Sequence, residues 1–324
     1  MKTTTTNSAA NNIRNDLMKQ ADAVMKRENG GSFKTKERYR TAMLDFTEQI
    51  AEKFRLKALK NVKLKHFEYY IESMKYRDFT ANTIATNLSG LRWYFCRMKL
   101  KETMPPNEEL MIPKREIGLY DRAWTEAEYI AGIDCATLAK RADVVGAMKL
   151  ANYFGLRIEG TVTVTVNQIS NALINVELTV KEKGGLERTI SVHTDEQREI
   201  LTELLIYAKS NGKKSFDRLL PYSDKKGAVK QRKRAISDWI ANNRHKFQSS
   251  DRVEINRQIK LADQAGIRLI TESLSLHGLR YKFLQAEYAN LISKGIEKAE
   301  AMHRVSILAG HYRAEITKIY IGNV

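Results

Sequence analysis

His311 and Tyr320 stand nine positions apart in the stretch AGHYRAEITKIYIGNV, and further acid–base and cationic groups lie upstream of them. They are HGLR (His277 to Arg280), the lysines Lys181 and Lys183 in KEKGG, and Arg157 in YFGLRIEG. A phenol, two imidazoles, two guanidiniums and an amine form a set that can move protons and hold an anion. Each element alone is weak. His and Arg three apart recur in basic helical proteins, a hairpin lysine is usually just solvated, and Ile316, Ile319 and Tyr320 at helical spacing read as a last core helix.

The bulk of the chain narrows the partner. Its 324 residues carry 55 Lys and Arg against 38 Asp and Glu, a net charge of +17, which points to a polyanion with nucleic acid first. An anionic membrane surface is the rival. No stretch approaches the roughly 18 continuous apolar residues of a spanning helix, and no signal peptide precedes MKTTTTNSAANN, so a cytoplasmic location and no membrane partner are expected. Cys96 and Cys135 read as reduced fillers, and the Cys and His spacing fits no zinc site. No phosphate-binding glycine loop appears, and neither cofactor nor metal is expected.

The elements that must position these groups are mostly helical. Tyr39, Met43, Phe46 and Ile50 recur at steps of 4, 3 and 4, and Ile84, Leu88, Leu91, Phe95 and Met98 repeat that spacing. Leu64, Phe67, Ile71 and Met74 suggest another helix between them, and Ile13, Leu17, Val24 and Met25 line a face of one further upstream, after a Thr/Asn-rich tail expected to be disordered. Three prolines, Pro105, Pro106 and Pro113, mark a linker. After it TEAE, Thr125 to Glu128, has the capping-box pattern and opens a helical region to about Phe154. In LINVELTVKEKGGLERTISV the period becomes two: Ile174, Val176, Leu178 and Val180 alternate with polar residues before a turn at Gly184 and Gly185, which predicts a hairpin with one wet face. Helices resume from about Asp195, broken near Pro221 and from Gln248 to Asp251. The fold class is therefore mainly α with a small antiparallel β-sheet.

The order of the chemical residues is the informative feature: an Arg after a helix, a Lys in a β-hairpin, H-x-x-R, then G-H and a Tyr nine residues on. It resembles the tyrosine recombinases, the lambda-type integrase and Xer-like family, over most of the chain. The resemblance implies a two-domain DNA clamp: residues 1–32 an N-terminal tail and helix, 33–103 a helical core-binding domain, 104–122 a linker and 123–324 the catalytic domain. TANTIATNLSGLRWYF, with Arg92, is similar to the helix by which that first domain tracks DNA. Residue by residue, the resemblance makes Arg157, Arg280 and His311 ligands of the scissile phosphate, gives His277 a part in proton transfer, makes Lys183 the acid for the leaving oxygen, and makes Tyr320 the nucleophile.

The implied chemistry is physically coherent. Attack on a phosphodiester builds charge on the non-bridging oxygens, which two guanidinium forks can stabilise without a metal ion. A tyrosine hydroxyl, with an unperturbed pKa of about 10, needs neighbouring cations and a base to ionise. A phosphotyrosine link would store the broken bond for resealing, so no ATP site is required.

Several departures and alternatives accompany the match. The family's acidic residue three positions after the first Arg is Gly160 here, with Glu159 one step early. TVTVTV, Thr161 to Val166, alternates like a strand where the family continues a helix. Lys181 shares a face with Lys183, so either can be the acid; Tyr312 is a rival hydroxyl, and Tyr281, where many relatives have a second His, reads as packing. IGNV after Tyr320 is too short for the helix that many relatives dock on a neighbouring protomer, which leaves the helix of Ile13 to Met25 as a candidate for subunit contact. DKKGAVKQRKR is the densest basic run, and Lys230, Arg232, Lys233 and Arg234 are its candidate DNA contacts. His66, His193, His245 and His303 read as ordinary surface or packing residues. The expected function is site-specific recombination or integration for a bacterial or phage mobile element. Its partners are double-stranded DNA and further copies of the chain, a dimer per site and a tetramer at synapsis, with an accessory DNA-bending protein as a further candidate. Type IB topoisomerase-like strand passage and a catalytically degenerate DNA-binding or architectural protein are the alternatives.

Overall fold

The computed structural model describes residues 3–28, 30–99, 104–112, 121–181, 187–221, 228–264, 273–311 and 314–321. The chain divides into two compact units, Met1–Glu116 and Ile117–Val324.

The first unit is helical: α1 (Thr3–Arg27), α2 (Phe33–Phe54), a 3₁₀ turn (Leu59–Asn61), α3 (Leu64–Tyr76) and α4 (Ala81–Arg97). Ser32 and Thr80 cap α2 and α4 by accepting the amides of Thr35 and Thr83, as expected of hydroxyls at helix starts. The apolar stripes read from the sequence in this unit face one core, built from Leu17, Met43, Phe46, Ile50, Phe67, Ile71, Leu88, Leu91 and Phe95, except that Leu64 at the start of its stripe is exposed. Phe46 stacks on Phe67 with ring centroids 5.6 Å apart and meets Phe95 edge-on at 5.9 Å, which locks α2, α3 and α4 together. Two expectations change. The polar tail lies within α1, which starts at Thr3, and the helix is held to α2 by the buried side chains of Leu17, Met18 and Ala21. Met104 and Ile112, within the stretch read as linker, are buried in the first core, and Arg92 Nη2 donates to Pro105 O at 2.6 Å.

The second unit comprises α5 (Glu126–Leu138), α6 (Ala142–Phe154), α7 (Ile158–Thr163), α8 (Val166–Asn175), β1 (Glu177–Lys181), β2 (Glu187–Ser191), α9 (Asp195–Ser210), α10 (Ala228–Asn243), a 3₁₀ turn (Arg244–Lys246), α11 (Ser250–Gln264), α12 (Leu276–Ser293), α13 (Lys298–Leu308) and α14 (Ala314–Ile321). Thr125 and Glu128 form the expected capping box at α5. Glu128 also receives the Arg252 guanidinium at 2.7 and 2.9 Å, a buried pair that ties α11 to α5.

β1 and β2 pair antiparallel, with Glu177 opposite Ser191 and Val180 opposite Arg188. Leu178, Val180 and Ile190 point into the core while Glu177, Thr179 and Lys181 face solvent, the one wet face that period-two alternation requires. The strand begins later than the alternation suggested. Ile174 belongs to α8, and Val176 takes the left-handed conformation at φ 61° that turns the chain into β1. The TVTVTV stretch is resolved in favour of helix. α7 runs to Thr163, whose hydroxyl bonds back to Glu159 O at 2.7 Å, and Thr165 caps α8 in a capping box with Gln168. Within that stretch only Thr165 makes a β-bridge, to Arg218.

Candidate phosphoryl-transfer site

The site is assembled from helix ends. α6 terminates at Gly155, left-handed at φ 57°, where a Cβ would lie 2.4 Å from Phe283 Cδ1. A glycine is required there both by conformation and by space. Buried Leu156 follows, and Arg157 is the extended N-cap residue of α7.

α12 supplies His277 and Arg280 one turn apart, so both share a face. Gly278 between them lets the helix lie against the chain before α5: a Cβ would come within 2.4 Å of Arg122 O and 2.7 Å of the Trp124 ring. Trp124 Nε1 donates to Ser275 O at 2.9 Å and fixes the same approach.

α13 closes in a Schellman motif. Gly310, at φ 64°, donates to Ile307 O at 2.7 Å and His311 N donates to Ser306 O at 3.0 Å. The G-H pair is thus a helix stop followed by the residue it aims. α14 then carries Tyr320, held by Gln285 Nε2 donating to Tyr320 O at 2.9 Å and by Thr317 Oγ1 donating to Met302 O at 3.2 Å.

These ends converge. Tyr320 Oη lies 2.8 Å from His311 Nε2, and Arg157 Nη2 lies 3.2 Å from that same nitrogen. A guanidinium has donors only, so the nitrogen lone pair is the acceptor and the phenol proton is aimed at it. Arg157 Nη2 also donates to Ala309 O at 2.9 Å. Arg280, 0 % exposed, donates to Gly155 O and Ala309 O, the carbonyls that end α6 and α13. Its guanidinium carbon lies 5.7 Å from the centroid of the Tyr320 ring. Tyr281 packs on Tyr320 at 4.7 Å, and the His277 ring completes the cluster at 5.9 Å from Tyr320.

Five of the six residues of the catalytic set named from sequence, Arg157, His277, Arg280, His311 and Tyr320, therefore meet in one chain. Lys183 lies outside the described residues, as does Tyr312; Lys181 is exposed at the end of β1. Protein crowding about the His277 ring, then the charges of Arg280, Arg157 and Arg122, push its pKa down to about 4, although the residue as a whole is exposed to solvent. His277 is thus an uncharged ring at neutral pH.

The candidate DNA contacts divide. Lys230 and Arg234 are exposed, Arg234 with Asp238 at 3.3 Å, whereas Arg232 pairs with buried Asp143 at 2.8 Å and Lys233 with Glu159 at 2.9 Å. Arg92, half-buried, holds Pro105. The acid one step early, Glu159, thus reaches α10. Gly160 is buried within α7.

The sequence reading passed over Arg188 and Gln285. Arg188 could have been found: it occupies the inward parity of β2 beside Ile190, where a cation is out of place without partners. Gln285 carried no signal, since its partner is a main-chain carbonyl.

This fold defines a class. The chain has the fold of the tyrosine recombinases and integrases, a helical N-terminal unit followed by a mainly helical unit with a small antiparallel sheet. Residues 15–101 match the family described as phage integrase, N-terminal. Among solved structures the chain is similar to a lambda integrase dimer bound to a COC' core site, at 16% identity over 95% of this chain and 76% of that one, with a TM-score of 0.61. It is also similar to a lambda integrase tetramer bound to a Holliday junction (16% identity, 97% and 76% covered, TM-score 0.60). The Tn1549 transposon integrase in complex with transposon right end DNA is a further likeness (13% identity, 95% and 95% covered, TM-score 0.56). No curated protein sequence matches the chain. Among the described residues no helix is long and apolar enough to cross a membrane.

Proposed function

We propose that the protein is a site-specific DNA recombinase or integrase that cuts and rejoins strands through a 3′-phosphotyrosine at Tyr320. The observation that carries this reading is the convergence of Tyr320, His311, Arg157 and Arg280 from four chain segments, with the phenol 2.8 Å from an imidazole nitrogen. The net charge of +17 and the DNA complexes formed by the similar proteins support duplex DNA as substrate.

In this mechanism Tyr320 loses its proton to His311 Nε2 as its oxygen attacks phosphorus. The P–O5′ bond breaks, leaving a 3′-phosphotyrosine and a 5′-hydroxyl. Arg157 and Arg280 turn donors from the helix-end carbonyls to the phosphoryl oxygens, where charge grows in the transition state. Lys183 protonates the leaving oxygen, a role drawn from the sequence resemblance, with Lys181 as its rival. His277, neutral, offers a hydrogen-bond acceptor beside the attacking phenol, whose one proton goes to His311. Because the phenol meets the arginines of its own chain, cleavage is in cis. Subunits exchange strands as a dimer per site and a tetramer at synapsis, in line with the dimer and tetramer of the similar lambda structures.

The test uses a pool of nicked duplexes of random sequence, from which the protein captures its own site by covalent trapping. Wild-type protein should form a denaturant-resistant adduct, Tyr320→Phe none, and Arg280→Ala about 100-fold less, the reduction expected when a preorganised donor is removed. Lys183→Ala should slow ordinary DNA but spare a 5′-bridging thiol, which leaves without an acid. A protein that binds duplex DNA and yields no adduct would be a binder only.

A further inference from the structure

The site contains a third guanidinium, a buried one, that the mechanism above does not use. Arg188 rises from β2 and is 6 % exposed. Its Nη1 donates to Leu308 O at 2.6 Å and its Nη2 to Gly155 O at 3.2 Å. Gly155 O also receives Arg280 Nη1, and the carbonyl next to Leu308, that of Ala309, receives Arg280 and Arg157. Arg188 Cδ and Arg157 Nη1 flank Gly310, 3.5 and 3.7 Å from where its Cβ would stand.

Three guanidiniums thus share two short backbone stretches, the end of α6 and the end of α13. Arg157 and Arg280 must release or share those carbonyls to hold a phosphate. Arg188, carried on a strand, can keep its hold while they turn. Its fork spans two acceptors 153 positions apart (308 − 155 = 153), and a fork, unlike a point charge, fixes both distance and angle.

We propose that Arg188 is a positioning residue for phosphoryl transfer: by bridging Gly155 O and Leu308 O it fixes the turn bearing Arg157 against the turn bearing His311, so that the reacting groups stay in register. The inference rests on the strand-cleaving role proposed for this site. Lysine keeps the charge but can satisfy only one of the two carbonyls well, and methionine neither, so both should let the turns drift. A misplacement of about 1 Å at reacting groups costs on the order of 100-fold in rate.

Arg188→Lys and Arg188→Met are to be compared with wild type on the duplex captured above, for dissociation constant and single-turnover adduct formation, with amide exchange at Gly310 and His311 read well below melting. The expected result is affinity within about threefold, cleavage slowed about 100-fold in Arg188→Met and at least tenfold in Arg188→Lys, and faster exchange at Gly310 and His311 while α12 keeps its protection. Wild-type cleavage rates in either folded variant, or a drop in affinity as large as the drop in rate, would overturn the proposal. Should Arg188→Met fail to fold, Arg188→Lys carries the same readouts. If wild-type protein forms no adduct, the proposed function fails, and unchanged exchange in Arg188→Lys would then refute the bridge by itself.

Discussion

One nitrogen, His311 Nε2, is approached by the Tyr320 phenol at 2.8 Å and by Arg157 at 3.2 Å. The proton acceptor for the phenol and a guanidinium that can turn to the phosphate therefore meet at one atom, so proton removal and charge stabilisation are held in a fixed spatial relation. His277 behaves differently. With a folded pKa near 4 against about 6.5 unfolded, the unfolded chain binds a proton between those values that the native chain refuses. Stability therefore falls as pH drops from about 6.5 towards 4 and rises in the opposite direction. An NMR titration of the His277 ring should give a midpoint well below 6 in free protein, moving upward when a phosphate-bearing duplex binds; a midpoint near 6.5 in the free protein would contradict the crowded, cation-flanked setting. At this scale much was legible in the sequence, because each donor's type and order survive in the string. Arg188 was less so, since a buried cation betrays itself only through strand parity, and the carbonyls it binds have no side-chain signature.

The helix ends carry the geometry. Both Gly155 and Gly310 sit at positive φ, but they differ in surroundings: a Cβ at Gly155 would strike Phe283 at 2.4 Å, whereas at Gly310 the nearest atom would be 3.5 Å away. Gly310→Ala should cost about 1 kcal/mol from conformation alone. Gly155→Ala adds overpacking of about 1–3 kcal/mol. In calorimetry Gly155→Ala should lower the melting temperature by several degrees more than Gly310→Ala; equal shifts would mean that Phe283 yields freely. Element types were readable wherever one period ran long, as in the first-unit stripes and at Leu178 and Val180. They were misleading where β-branched residues alternated by chance. Thr161, Thr163 and Thr165 each find a backbone partner or a capping role, so their hydroxyls settle into helix and cap rather than strand. The start of β1 was misplaced for a related reason: Ile174 and Val176 keep strand parity but lie in α8 and at its left-handed end.

Across the whole molecule the excess of positive charge is not uniformly available. Arg232 and Lys233 sit in pairs with Asp143 and Glu159, while Lys230 and Arg234 face solvent on the same α10. Joint replacement of Lys230 and Arg234 by alanine should flatten the slope of log affinity against log salt by roughly 0.9 for each DNA phosphate that the variant ceases to neutralise, leaving the melting temperature unchanged. Arg232→Ala should instead lower the melting temperature, because buried Asp143 is deprived of a partner. Filter binding over a salt series with parallel melting scans separates the two, and an unaltered slope in the double variant would remove α10 from the DNA-binding surface. This division was beyond the sequence: four basic letters within five positions look alike until the fold brings carboxylates from α6 and α7 beside two of them.

The guanidiniums at Gly155, Leu308 and Ala309 all grip main-chain oxygens. Side-chain drift at 308 and 309 leaves such acceptors where they are, whereas gaining or losing one residue between α13 and His311 would put the Ala309 carbonyl and the His311 ring out of register with one another. Variation among descendants of this chain should accordingly be tolerant of substitution in that turn and intolerant of length change.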